Sequence, residues 1–278
     1  MTTVSSSDWS GERGRKWSRQ VTGIEASLAP VDDALLAAMN LKRKHRVADV
    51  ACGGGGTTLA IAREAPPGSV IHGYDISPDV LDVARARTDD PQVAFRVADV
   101  STAPVPEQPY DRLCSRFGVM FFEDPAVAFA NLTAWLIPGG RLAFAVWGNP
   151  AGNPWMTSAT EAVATVVQVP ESESDPDAPG RFRYSDASKL TGLLRTAGFT
   201  DLDVSEWRGR LPVGGGMDAG AAARFTLSVF SDGAHLEEAG EAAVEQGRAE
   251  LAARLAEHER DGVVQVDALV NVVTGSRS

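Results

Sequence analysis

Three aspartates and a run of glycines are the residues of this sequence whose types and spacing could do chemistry. Asp49 lies near the end of a short apolar segment and stands four residues before Gly53, the first of four consecutive glycines. Asp75 and Asp99 close the next two apolar segments. Glycines adopt positive φ and let the backbone approach a ligand closely, and carboxylates accept hydrogen bonds from hydroxyl and amino groups. The combination favours a nucleoside ligand that lacks a diphosphate.

A parallel sheet is the element that would bring these residues together. The sequence predicts strands that alternate with helical segments, at residues 46–51, 70–75, 93–98, 110–115 and 141–147. Sheets of this kind are covered by helices on both faces and bind ligands beyond the carboxyl ends of their strands. We therefore expect the three aspartates along one edge, where the helix that begins near Thr57 also points its free N–H groups.

A dinucleotide cofactor is the main alternative interpretation of a glycine-rich turn. Its fingerprint needs a further glycine three residues after Gly55, and Thr58 stands there instead. An oxidoreductase of that kind is therefore disfavoured. The glycine run by itself could also form no more than a tight turn between a strand and a helix, so the nucleoside interpretation depends on the three aspartates together.

Five motifs resemble the class I S-adenosylmethionine-dependent methyltransferases of the small-molecule type. They are VADVACGGGG from Val47, GYDIS from Gly73, VADVS from Val97, YDRLCSRFGVMFFEDP from Tyr110 and PGGRLAFAVW from Pro138. The resemblance covers residues 47–147 and, more loosely, the last strand at 267–274. It implies an α/β fold with a Rossmann-like, doubly wound sheet of seven strands, the last of them antiparallel. It also implies S-adenosyl-L-methionine as cofactor and S-adenosyl-L-homocysteine as product.

The resemblance also implies the residues of a cofactor site. The predicted set is Asp49, Ala51, Gly53 and Gly55 around the methionine part, Asp75 and Ile76 at the ribose, Asp99 and Val100 at the adenine, and Ser115 and Arg116 beside the sulfonium. Cys52 and Thr58 also belong to the predicted set. Ala51 stands where many members have glycine. Because alanine reaches positive φ only at a cost, we expect an ordinary backbone conformation there.

The acceptor is a small molecule in the leading interpretation, which is methyl transfer to oxygen, nitrogen or carbon in an aromatic-lined pocket. The candidate substrate-binding residues are Trp17, Trp147, Asn153, Trp155 and Tyr184. Since in-line displacement at a sulfonium methyl needs a base only when the acceptor must lose a proton, no catalytic residue is assigned. His235 and Tyr184 are the candidates. No cluster of residues has the spacing of a metal site.

Composition excludes several other classes of function. The 278 residues carry 37 acidic and 26 basic side chains, a net charge of −11, and show no basic stripe for nucleic acid. No apolar run approaches the length of a membrane span and no secretory signal is visible, so we expect a cytoplasmic enzyme. The four lysines and the many arginines and alanines resemble GC-rich bacterial coding, which suggests natural product biosynthesis.

Two further functions stay open at this point. One is a methyltransferase acting on tRNA or protein, which the acidic charge disfavours. The other is a protein that binds the cofactor without transferring its methyl group. The predicted organisation is an N-terminal helical segment at 1–45 that forms part of a cap, followed by a methyltransferase domain at 46–278. Cap insertions are expected at about 148–185, mostly as loop, and at about 213–262, with a helical stretch at 218–260.

Overall fold

The computed structural model describes residues 6–168, 175–229 and 232–278. The strands are β1 (Arg46–Val50), β2 (Val70–Asp75), β3 (Val93–Val97), β4 (Tyr110–Arg116), β5 (Leu136–Trp147), β6 (Phe199–Pro212), β7 (Glu259–Arg260) and β8 (Val263–Arg277). The main sheet has the order β3-β2-β1-β4-β5-β8-β6, and the short β7 pairs with β8 outside that path. Strand β8 runs antiparallel to both β5 and β6. The predicted α/β class and seven-stranded sheet with an antiparallel last strand are confirmed.

The central strands form because their side chains are buried on both faces of the sheet. Residues 47–50 of β1 and 112–115 of β4 are all buried, whereas most of β6, at the edge of the sheet, is exposed. Burial on both faces is typical of parallel strands covered by helices. Strand β2 lies on one side of β1 and β4 lies on the other. The switch in strand order therefore falls at the end of β1, where open α/β sheets bind their ligands.

The helices connect these strands and extend the chain at its N-terminal end. They are α1 (Ser6–Ser10), α2 (Glu12–Leu28), α3 (Asp32–Met39), α4 (Gly56–Glu64), α5 (Pro78–Arg85), α6 (Pro125–Trp135), α7 (Pro154–Ala164), α8 (Ala187–Thr196), α9 (Ala219–Val229), α10 (Asp232–Ala239) and α11 (Glu241–Ala256). Ser77 caps α5, since its hydroxyl accepts the N–H of Val80. Within the described ranges, no helix has both the length and the apolar character that a membrane crossing requires.

Two predicted cap segments differ in their secondary structure. The segment 148–185 was expected as loop, but it contains α7, which buries Met156, Ala159, Ala162 and Val163 at helical spacing. The stretch 218–260 was expected as one helical insertion, and its described residues contain α9, α10 and α11. Gly240, which adopts a φ of 102°, separates α10 from α11. Residues 169–174 of the first segment lie outside the described residues. The division into a segment 1–45 and a domain 46–278 stays a prediction.

Asn153 is a structural residue, contrary to the prediction that it contacts an acceptor. Its side chain is fully buried at the start of α7. The amide nitrogen donates to the carbonyl oxygen of Leu269 at 3.0 Å, and the amide oxygen accepts the N–H of Leu269 at 3.1 Å. Asn153 thereby fastens the loop after β5 to β8, and both ends of its amide are engaged by backbone.

We predict that Asn153→Ala lowers the free energy of unfolding by about 1–3 kcal/mol, because it leaves the buried N–H of Leu269 without its partner. Urea denaturation followed by circular dichroism measures the loss. The control is Thr157→Ala, which removes an exposed hydroxyl from the same helix and should change the free energy by about 0.5 kcal/mol or less. Equal effects of the two substitutions would contradict a fastening role for Asn153.

Candidate functional site

The turn after β1 is fixed by backbone hydrogen bonds to the neighbouring strand. The N–H of Cys52 donates to the carbonyl oxygen of Tyr74 at 2.9 Å. Gly53 and Gly55 have φ values of 57° and 83°, in the left-handed region. A β-carbon on Gly55 would stand 2.7 Å from the ring of Phe95, so glycine is required there by space as well as by conformation.

Ala51 adopts the left-handed conformation too, and the prediction of an ordinary backbone at this position is wrong. Its φ is 54°, because the chain must turn directly after β1 to bring Cys52 against Tyr74. The methyl group fits since Gly118 stands opposite it, where a β-carbon would come within 2.4 Å of that of Ala51. A left-handed residue other than glycine costs about 1–2 kcal/mol, which the surrounding structure must offset.

Asp75 ties the end of β2 to the glycine-rich turn. One carboxylate oxygen accepts the N–H of Gly53 at 2.9 Å, and the other accepts the N–H of Ser77 at 2.9 Å. Burial raises the pKa of this carboxyl, and the backbone hydrogen bonds oppose the rise. Each oxygen retains a lone pair, so the carboxylate is held in one orientation and can still accept hydroxyl groups of a ligand.

Asp49 is buried next to the glycine-rich turn, and neighbouring side chains occupy both of its carboxylate oxygens. Its carboxylate accepts the hydroxyl of Thr58 at 2.6 Å and the thiol of Cys114 at 3.6 Å. Burial raises the pKa of Asp49 to about 7, while Thr58 and Arg116 act in the opposite direction. Thr58 thus supports Asp49 instead of facing a ligand.

Two carboxylates from the N-terminal helices complete the site, and the sequence-based prediction missed both. Glu25 on α2 accepts the N–H of Gly56 at 3.1 Å and pairs with Arg87. Asp32, which begins α3, pairs with Arg116 at 2.9 Å and accepts the hydroxyl of Thr57. The first N–H of α4, expected to face a ligand, is therefore taken by Glu25. Glu25 lies among apolar residues on the buried side of α2, and that position is the signal that could have revealed it.

One large cavity of about 1830 Å³ opens at this edge of the sheet. Nine of the twelve predicted cofactor residues line it, namely Asp49, Ala51, Cys52, Gly53, Asp75, Ile76, Asp99, Val100 and Arg116. Gly55, Thr58 and Ser115 do not. Gly55 starts α4, Thr58 bonds to Asp49, and the hydroxyl of Ser115 donates to the carbonyl oxygen of Val50. These three residues stabilise the cavity wall without facing the cavity.

Aromatic side chains line the part of the cavity formed by the cap. The predicted Trp17, Trp147 and Trp155 are among them, and His235 on α10 also faces the cavity. Tyr184 does not line it, contrary to its prediction as a substrate or catalytic residue. That ring is buried in the core, where desolvation raises the pKa of its hydroxyl to about 12. In the described part of the chain no three His, Cys, Asp or Glu side chains are grouped as metal ligands.

The fold and the site together define a class of protein. A parallel sheet with the central order β3-β2-β1-β4-β5, an antiparallel strand beside β5, a glycine-rich turn at the switch point and carboxylates at successive strand ends is the arrangement of the class I S-adenosylmethionine-dependent methyltransferases. Residues 48–144 match the family described as "Methyltransferase domain". Residues 48–144 thus carry a methyltransferase domain of this class, whose cofactor is S-adenosylmethionine.

Comparison with curated proteins gives relatives that share part of the chain. It is 37% identical over 120 residues to the biotin biosynthesis bifunctional protein BioCD of Bordetella avium, which covers 43% of this chain and 25% of that protein. It is 32% identical over 180 residues to trans-aconitate 2-methyltransferase of Methylobacterium radiotolerans, which covers 63% of this chain and 64% of that protein. The chain thus spans less than two thirds of the length of each.

A solved structure extends the likeness of fold over nearly the whole chain. Phosphoethanolamine N-methyltransferase 2 of Haemonchus contortus, in complex with S-adenosyl-L-methionine, superposes with a TM-score of 0.56 at 18% sequence identity. The match covers 99% of this chain and 60% of that one. At this identity the likeness concerns the fold alone.

We predict that the stability of Asp49→Asn relative to wild type rises as the pH increases from about 4 to about 7. Folded Asp49 keeps its proton up to about pH 7, whereas the unfolded carboxyl has the model value of 3.8. Between these values the unfolded state binds fewer protons, so the wild type loses stability with rising pH. Asparagine does not ionise and escapes this loss.

Urea denaturation of the cofactor-free protein at pH about 4.5 and about 7.5 measures this difference. The matched control is Asp89→Asn at an exposed position, whose difference from wild type should stay constant. A difference for Asp49→Asn that is flat, or that falls with pH, would show that Asp49 is ionised in the folded protein throughout.

Proposed function

We propose that this chain transfers the methyl group of S-adenosylmethionine to an oxygen, nitrogen or carbon atom of a small molecule. The observation that carries the proposal is that the strand-end carboxylates and the aromatic residues of the cap line one continuous cavity. A pocket for a drug-sized ligand has a volume of about 300–1,000 Å³. The cavity here, at about 1830 Å³, has room for a cofactor and an acceptor together.

The residues at the strand ends fit the nucleoside and amino-acid parts of the cofactor. Asp75, fixed by two backbone N–H groups, is oriented to accept the ribose hydroxyls. Asp99 and Val100 border the cavity beyond β3 and would face the adenine. Glu25, Asp49 and Arg116 line the cavity beside the glycine-rich turn and would hold the methionine part, whose ammonium and carboxylate groups need partners of both signs.

The cap residues fit an apolar acceptor. Trp17 comes from α2, Trp147 from the end of β5 and Trp155 from α7, and all three line the cavity. Walls of this composition suit a flat or hydrophobic small molecule. They also exclude water, which protects a methyl donor from hydrolysis. A tRNA or protein acceptor would need a basic rim, and the net charge of −11 argues against one.

The chemical step asks little of the protein beyond alignment. S-adenosylmethionine supplies, when bound, a methyl group on a positively charged sulfur that is already electrophilic. The chain's own task is to hold the acceptor atom in line and to shield it from water. For a hydroxyl acceptor His235 is the proposed base, since it is the one histidine of the described residues that lines the cavity. An acceptor that carries a free lone pair needs no base.

The cellular setting is proposed from composition and from the size of the cap. A large cap built from α1–α3, α7 and α9–α11 makes much of the cavity wall variable in principle, which suits specialised metabolism in bacteria. The expectation of a cytoplasmic enzyme and the predicted absence of a metal, of a nucleic-acid partner and of a membrane partner stay predictions.

Binding of the cofactor without methyl transfer is the alternative that the site geometry leaves open.

Incubation with S-adenosylmethionine labelled in its methyl group tests the proposal. The purified chain is mixed with a small-molecule extract of a GC-rich bacterium, and in parallel with the tRNA and protein fractions of that extract. Label in the small-molecule fraction is the expected result. Label in tRNA or protein would replace the proposed acceptor class. Tight cofactor binding with no label in any fraction would favour the protein that binds the cofactor without transferring methyl.

We predict that Asp75→Ala weakens S-adenosylhomocysteine binding about tenfold or more, because the ribose hydroxyls lose a charged acceptor worth about 1.5–3 kcal/mol. Isothermal titration calorimetry measures the affinity. Asp89→Ala, at an exposed position, should bind like the wild type. NAD should not bind to either. Near-normal affinity in folded Asp75→Ala would count against the assignment of the ribose site.

We predict that His235→Gln lowers kcat about 100-fold or more at neutral pH for a hydroxyl acceptor from the labelling experiment. The rate of the variant should recover at high pH, where the acceptor ionises without help. His258→Gln, at an exposed position outside the cavity, serves as the control. Unchanged kcat and an unchanged pH profile in His235→Gln would exclude it as the base.

A further inference from the structure

Phe117 is a bulky residue in a backbone conformation that bulky residues rarely adopt. It directly follows β4 and has a φ of 64°, inside the left-handed region that favours glycine. Its N–H still donates to the carbonyl oxygen of Ala145 on β5, at 2.9 Å. The chain therefore leaves the sheet by a sharp turn at Phe117 instead of extending β4.

This turn sets the ring of Phe117 against the end of β5. The ring stacks on that of Trp147, with centroids 4.0 Å apart and planes inclined by 11°. Trp155 meets Trp147 edge-on at 6.0 Å. Phe117 and Trp147 are only 8% and 6% exposed, yet both line the cavity. Because the stacked rings leave no room between them, a ligand meets the pair on the surfaces that face the cavity.

The same turn is in direct contact with the proposed cofactor residues. Gly118, which follows Phe117, packs on Ala51 in the turn after β1 so closely that a β-carbon would come within 2.4 Å. Arg116, which precedes Phe117, pairs with Asp32 and lines the cavity. The ring pair is thus attached to the turns after β1 and β4, which hold the cofactor end of the site, and its position relative to that end is fixed.

We propose that Phe117, stacked on Trp147, is a specificity-determining residue that selects flat aromatic acceptors and orients them toward the methyl group. The inference rests on the proposed methyl transfer to a small molecule. Strained backbone persists mainly where function requires it. Two rings that are already packed together lose little entropy when a ligand binds, and an aromatic surface favours a flat ring over a saturated one. Phe117 is a binding residue here and takes no part in proton transfer.

Two bicyclic alcohols with the same carbon skeleton test the proposal. The probes are 2-naphthol, which is flat, and decahydro-2-naphthol, which is not. Calorimetry on the protein saturated with S-adenosylhomocysteine should show that the wild type binds 2-naphthol about tenfold more tightly. Phe117→Leu keeps an apolar side chain of similar bulk but has no ring, and should reduce this preference to about twofold. The affinity for S-adenosylhomocysteine should stay the same.

Two further variants separate the ring from the backbone. Phe117→Gly accepts the left-handed turn without strain and also lacks the ring, so it should show the same loss of preference even if Phe117→Leu folds poorly. Asp261→Gly relieves a left-handed residue at an exposed position, and should leave the preference at its wild-type value. The melting temperatures of all variants show that the folded proteins are compared.

The outcomes distinguish this inference from the proposed function. If the wild type binds S-adenosylhomocysteine but shows no preference for 2-naphthol, or if the preference survives in both Phe117 variants, the role of Phe117 is overturned and methyl transfer is unaffected. If the variants lose S-adenosylhomocysteine affinity instead, Phe117 acts on the cofactor and the acceptor role is likewise overturned. If the wild type binds no S-adenosylhomocysteine, the proposed function itself fails.

Discussion

The sharp turn after β1 is the constraint on which the rest of the site depends. Within a few residues the chain must leave a buried parallel strand and enter α4, and it does so through Ala51, Gly53 and Gly55 in left-handed conformations. The hydrogen bond from Gly53 to Asp75 holds this turn against the end of β2. Gly118 gives it room on the side of β4. The ends of three neighbouring strands are therefore locked together, and none can shift without the others.

The balance of charge around this turn suits a cofactor that carries both signs. Glu25 and Asp49 bring carboxylates to the methionine end of the site, and Asp32, outside the cavity, pairs with Arg116, which lines it. Burial favours the protonated form of Asp49, which limits the repulsion among the three acids. Helix α2 supplies Glu25 to this end and Trp17 to the aromatic wall. One helix thus joins the cofactor and acceptor parts, so its packing affects both.

The parts of the site that could be predicted from sequence are those that the sheet positions. Asp75 and Asp99 could be placed because strand ends are visible as the limits of apolar segments. The conformation of Ala51 could not, since it follows from the pairing of Cys52 with a distant strand. Glu25 was missed for the same reason. Its position among apolar residues of α2 indicates burial, but its partners Gly56 and Arg87 lie far along the chain, and no local pattern identifies them.

The wrong assignments in the cap have a related cause. Asn153 and Tyr184 are polar or aromatic residues in a segment that was expected as loop, where ligand contacts and hydrogen bonds to distant backbone both occur. Asn153 has a structural role because β8 lies beside β5 and its residue Leu269 binds the Asn153 amide through backbone hydrogen bonds. That antiparallel return could be predicted, but its register could not. The register of β8 against β5 decides which cap side chains bind the backbone of the sheet and which face the cavity.

The ends of the strands and the cap helices contribute differently to the site. In-line transfer tolerates little misalignment, and the residues nearest the cofactor end, such as Trp147, stand at the ends of strands that are paired on both sides. Trp155 and His235 stand on helices that pack over the cavity from outside the sheet. In the proposed function the strand ends would orient the acceptor, whereas the cap would limit the size of the acceptor and supply His235 as a base. Helix α2 belongs to both parts, because it supplies Trp17 to the aromatic wall and Glu25 to the glycine-rich turn.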